Sequence, residues 1–119
     1  MNGEPSLSLT HEEARRRLER LADRLRVVGP RLAAREGESA RELLARIRAG
    51  LQRIADLAAD ADGEPRRPVP ELAAHALGDQ ALVLGLDLLG PEETGAGRPG
   101  ADERRIAAGR AFAEINELI

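Results

Sequence analysis

Hydrophobic residues recur every three or four positions over most of this chain, which predicts helices and no convincing strand. The first such stretch follows Thr10 and Glu13, whose spacing is that of a capping box at a helix start. Gly29-Pro30 should end or kink this helix, because proline cannot donate to the preceding turn. Residues 30–36 would add at most a short further turn. The apolar face comprises Ala14, Leu18, Leu21, Ala22, Leu25 and Val28.

The same pattern predicts a second and a fourth helix. Ser39 and Glu42 have capping-box spacing before the second, which should end at the proline-rich stretch 62–70. The fourth is expected to open at Asp102, after a glycine-rich loop at 90–101, and to place Phe112 and Ile115 on its apolar face. Residues 1–9 would form an N-terminal tail, so the chain is expected to be one helical domain.

The third predicted helix runs from Pro70 to Leu89 and is apolar on nearly all sides. A helix without a polar face must be buried, so it should lie at the centre of the fold. The run of leucines could also form a strand, but a stripe of small residues at helical spacing favours a helix. That stripe would let a neighbouring backbone approach closely, and we predict it as an interface; it consists of Ala74, Gly78, Ala81 and Gly85.

Polar residues interrupt this apolar segment at Glu71, His75, Asp79 and Asp87. The first three are four residues apart, which on a helix would form one row able to hold a ligand or a metal, or to act as an acid–base pair. The competing interpretation is a row of structural ion pairs with arginines of adjacent helices, and we favour it. The sequence therefore assigns no catalytic residue, no metal ligand and no cofactor.

Composition and charge exclude several classes of chemistry and of partner. The 119 residues include no cysteine, which excludes disulfides, thiolate catalysis and cysteine-ligated zinc. All 18 basic residues are arginine, a usage that fits a GC-rich bacterial genome. The arginines of "RRRLER" alternate with acidic residues at helical offsets and should pair within the helix, so we do not expect a nucleic-acid partner.

The sequence gives no sign of a membrane or an export signal. Residues 1–10 have neither a basic nor an apolar signal region. The longest apolar run, Ala81 to Leu89, is about half the length of a membrane-spanning helix. We therefore expect a cytoplasmic protein with no membrane partner.

Together these patterns predict an all-α fold of four helices in up-down-up-down order around a central third helix. The surplus of apolar surface on that helix favours a non-enzymatic interaction or regulatory module that self-associates, as a homodimer or with a protein partner. The alternative is a small enzyme or a metal- or ligand-binding bundle with a pocket around Glu71, His75 and Asp79.

Overall fold

The computed structural model describes residues 9–91 and 100–119, and within these ranges it contains four α-helices and no strand. The helices are α1 (His11–Ala34), α2 (Glu38–Asp62), α3 (Leu77–Leu89) and α4 (Ala101–Leu118). A 3₁₀ turn, Ala74–Ala76, leads directly into α3. The prediction of an all-α bundle is confirmed. Most of the predicted tail, and residues 92–99 of the glycine-rich loop, lie outside the described residues.

All four helices contribute to one apolar core. Leu18 of α1, Ile54 of α2, Leu77 of α3 and Ile115 of α4 are completely buried. Phe112, the only aromatic residue of the chain, is buried with them. No polar or charged side chain is buried among the described residues. Apart from Phe112, the core is therefore built of aliphatic side chains, which explains why the helices have to approach each other closely.

Contacts between the helices define the direction in which each one runs. Gly29 lies against Ala74, and Gly85 against Leu18, so α1 and α3 run in opposite directions. By the same reasoning α2 and α4 are antiparallel, because Gly50 lies against Ile115 while Asp62 binds Arg104.

The first and fourth helices run in the same direction. Arg105, near the start of α4, donates to the carbonyl oxygen of Leu9, just before α1 begins. Further along both helices, Arg24 donates to Asn116. Taken with the antiparallel pairs, this makes α2 and α3 parallel, and the predicted up-down-up-down order is wrong.

A proline-rich segment explains the difference between the predicted and the observed direction of α3. Residues 63–73 run back along α2: Arg66 binds Asp60, the amide of Val69 donates to Gln52, and Arg48 donates to the carbonyl oxygen of Leu72. Extended proline-rich backbone advances about 3.1 Å per residue, twice the rise of a helix, so a short segment can return along many turns. The predicted loop at 62–70 is therefore the start of a crossover connection.

The helix starts test the predicted capping signals. At α1 the capping box is present, with the amide of Glu13 donating to Thr10 Oγ1 at 3.0 Å and the amide of Thr10 donating back to Glu13 Oε1 at 3.3 Å. At α2 the predicted box is wrong, since the helix begins at Glu38 after Gly37, whose φ of 121° favours glycine, and Ser39 lies inside the first turn. At α4 the N-cap is Gly100, so the predicted opening by Asp102 is also wrong.

Two further differences concern α1 and α3. The first helix continues through Pro30 to Ala34, because Leu32 beyond the proline is buried in the core. The third begins at Leu77 and not at Pro70, because the preceding residues are held extended along α2. α3 contacts the other three helices, but its outer flank is open: Val83 is 67% exposed. This chain alone therefore does not cover the predicted central helix on every side.

Candidate functional site

The stripe of small residues lies inside the chain, packed on α1. A β-carbon at Gly78 would lie 2.5 Å from the carbonyl oxygen of Ala22, and one at Gly85 would lie 2.5 Å from a methyl group of Leu18. Ala74 and Ala81 are buried as well. The predicted close approach therefore exists, but its partner is α1 of the same chain, and these four residues offer no free surface to a second copy.

The predicted polar row is dispersed by the late start of α3. Glu71 lies in the extended segment, His75 in the 3₁₀ turn and Asp79 in the first turn of α3, and all three side chains are exposed. Asp87 lies near the other end of α3 and is exposed too. Glu71 therefore does not continue a helical row with His75 and Asp79, and the predicted row of three is not formed. Residues 9–91 and 100–119 contain no cluster of three or more histidine or acidic side chains that could hold a metal ion.

Asp79 forms a surface ion pair, as the structural interpretation of the row predicted. Arg26 Nη2 lies 3.0 Å from Asp79 Oδ1, and Arg26 Nη1 lies 2.6 Å from Asp23 Oδ1. The hydrogen bond to Asp79 raises the pKa of the Arg26 guanidinium above its ordinary value. Arg26 therefore connects the outer faces of α1 and α3.

A first cleft, of about 580 Å³, opens where α2 and α3 end and α4 begins. Arg104 is its main polar residue: it donates to the carbonyl oxygens of Asp87 and Leu88 and binds Asp62 at 2.8 Å. These contacts cap the carboxyl end of α3 and lower the pKa of Asp62. The sequence analysis did not identify Arg104, since no local pattern marks a residue that caps a different helix.

Two other polar groups of this cleft, His11 and Asp60, are bonded too. His11 Nε2 lies 3.0 Å from the carbonyl oxygen of Gly90, an acceptor, so this nitrogen carries the proton. Asp60 binds Arg66 at 2.7 Å, and that hydrogen bond lowers the pKa of the carboxyl group. His11 is half-buried, and its bond ties the start of α1 to the end of α3. The bonded side chains of the first cleft therefore hold separate segments of the chain together.

A second cleft, of about 470 Å³, lies at the opposite end of the bundle, between the end of α1, the start of α2 and Ala74. Its walls include three arginines, Arg35, Arg41 and Arg48, and one acidic residue, Glu36. Arg41 and Arg48 are seven positions apart in α2, and Arg35 lies in the connection that follows α1, so helical spacing could not point to all three. They meet because the chain reverses at Gly37.

Comparison of the chain with protein-family models, with curated proteins and with solved structures finds no match. None of the helices described here is long and apolar enough to cross a membrane.

Proposed function

We propose that this protein is a non-enzymatic interaction module that self-associates, and that the outer face of α3 is the contact surface. The supporting observation is the exposure of Val83, at 67% the most exposed large hydrophobic side chain in the described residues. Leu82 and Leu86 on either side are only partly buried. A surface helix of a soluble bundle normally carries polar residues on such a face.

The charges around Val83 support a second copy of the chain as the partner. Asp79 and Asp87 lie one turn before and one turn after Val83, so all three share one face of the helix. In a two-fold contact centred on Val83, Asp87 of each copy approaches Asp79 of the other. The repulsion between these carboxylates is offset by Arg26, which already binds Asp79 and can also pair with the incoming Asp87. Asp87 forms no ion pair within the described residues.

The contact involves one short helix and its immediate neighbours. Surfaces of this extent lie at the small end of specific protein interfaces, so a weak, concentration-dependent homodimer is expected. Size-exclusion chromatography with light scattering, from low to high micromolar concentration, should show a mass rising toward twice the 12.8 kDa of one chain.

A matched pair of variants locates the surface. Val83→Glu places a charge at the centre of the proposed contact and should leave a monomer at all these concentrations. Val27→Glu makes the same change at another exposed valine, 51% exposed on the outer face of α1, and should leave the dimer intact. A wild-type monomer at high micromolar concentration contradicts self-association, and equal loss of the dimer in both variants contradicts α3 as its surface.

A further inference from the structure

The second cleft contains positive charge that the fold leaves unpaired. No carboxylate among the described residues forms an ion pair with Arg35, Arg41 or Arg48. In the first cleft, by contrast, Arg104 is paired with Asp62 and bonded to the end of α3. Arg35 and Arg41 thus lack the structural explanation that Arg104 has.

Arg48 is the most informative of the three. Its Nη2 donates to the carbonyl oxygen of Leu72 at 2.7 Å, which fixes the guanidinium against the extended segment. Its Nε is buried and has no hydrogen-bond acceptor among the described residues. A buried donor without an acceptor costs free energy, and an acceptor that gained access to this atom from the cleft would remove that cost.

The shape and charge of the cleft indicate which kind of molecule would fit. Leu32, Leu44 and Ala74 supply apolar lining, and a volume of about 470 Å³ lies in the range of small-molecule sites. Three arginines and Glu36 leave two positive charges, which matches a phosphate monoester carrying nearly two negative charges at neutral pH. Guanidinium groups bind phosphate oxygens through two parallel N–H donors.

We propose that this cleft binds a small organic phosphate, with the phosphate group among the three arginines and its apolar remainder on Leu32, Leu44 and Ala74. The start of α2 lies on the same cleft and its dipole also favours an anion, although a helix end by itself would not define a site. This proposal is independent of self-association, since α3's outer face and the cleft share none of these residues.

The test is a titration of the full chain with inorganic phosphate, monitored by ¹H–¹⁵N NMR. Chloride keeps the ionic strength constant. We expect saturable shifts confined to the amides of residues 33–44 and to the Nε–H resonance of Arg48. Arg41→Gln should weaken binding about tenfold, the loss expected for one charge-assisted hydrogen bond. Shifts that do not saturate, or that spread over all arginine-bearing surfaces, would show simple charge screening and overturn the proposal.

The control is Arg46→Gln, which removes the same charge from the same helix at an exposed position outside the cleft lining. It should leave phosphate binding unchanged; equal weakening by both variants contradicts a localised site. Both substitutions are on the surface, and the helical circular-dichroism spectrum checks that each variant folds. Phenyl phosphate should bind more tightly than inorganic phosphate, because its ring can lie on the apolar lining; equal affinity contradicts the proposed place of the apolar remainder. Acetate binding as tightly as phosphate would contradict recognition of a doubly charged group.

Discussion

The close packing of α3 on α1 can be tested at Gly78. Alanine is worth about 1 kcal/mol more than glycine inside a helix, so on propensity alone Gly78→Ala should stabilise the protein. The added β-carbon, however, would lie 2.5 Å from the carbonyl oxygen of Ala22 and 3.2 Å from the amide nitrogen of Arg26. These are backbone atoms of α1, which cannot rotate away, so the two helices must separate.

Overpacking of this kind costs about 1–3 kcal/mol, and because the neighbour is backbone we expect the upper part of that range. After subtraction of the propensity gain, Gly78→Ala should lower the free energy of unfolding by about 1–2 kcal/mol. For a chain of this size that corresponds to a fall in Tm of roughly 4–8 °C. Thermal unfolding followed by circular dichroism measures it.

Gly109→Ala is the matched control. The nearest atom to its added β-carbon is the Cδ1 of Leu9 at 2.8 Å, the free end of a flexible side chain. This variant should be unchanged or stabilised by up to about 1 kcal/mol. If Gly78→Ala proves as stable as Gly109→Ala, the close contact between α1 and α3 does not exist as described, and the antiparallel arrangement derived from it loses support.

Two further predictions follow from the helix ends and the surface charges. Thr10→Ala should lower the free energy of unfolding by about 1 kcal/mol, because the Thr10 side chain caps α1. Ser39→Ala should change it by less than about 0.5 kcal/mol, because the Ser39 side chain caps no helix. Equal losses of the two variants in chemical denaturation would contradict the observed starts of α1 and α2. Arg104 lowers the pKa of Asp62 in the folded state below its ordinary value of 3.8. The stabilisation from this pair is therefore fully present when the pH is above the ordinary pKa, and it is lost as the pH falls through the lowered pKa of the folded state. In denaturant titrations at decreasing pH, Asp62→Asn should therefore lose less stability than the wild type below about pH 4; an unchanged pH dependence would show that the pair contributes nothing.

Much of the fold follows from local patterns. The capping box at Thr10 marks the start of α1, and Gly63, in the left-handed conformation, ends α2 at the predicted position. Local signals failed where a longer-range contact outweighed them. Pro30 did not end α1, since Leu32 is buried beyond it, and Ser39 did not cap α2, since the turn at Gly37 already sets the helix start.

The candidate site was less predictable, because its residues are distant in sequence. Spacing of four placed Glu71, His75 and Asp79 on one helix, but Gln52 and Arg48 hold the preceding segment extended, so α3 starts too late to align them. The second cleft could be anticipated only in part. Arg41 and Arg48 are two turns apart in α2, but Arg35 joins them only because the chain reverses at Gly37.

The sequence by itself determined that the chain forms helices, where α1 begins, where α2 and α3 end, and which side of α1 and of α4 is apolar. Periodicity and capping are properties of neighbouring residues, so they can be read without knowing the partner. Only the tertiary structure decided that α2 and α3 run in the same direction, that the stripe of Gly78 and Gly85 packs on α1, and that Val83 is left exposed. Each of these features depends on which helix surfaces meet. The course of the extended segment decides which surfaces meet, and bonds from Gln52 and Arg48 to residues far along the chain fix that course.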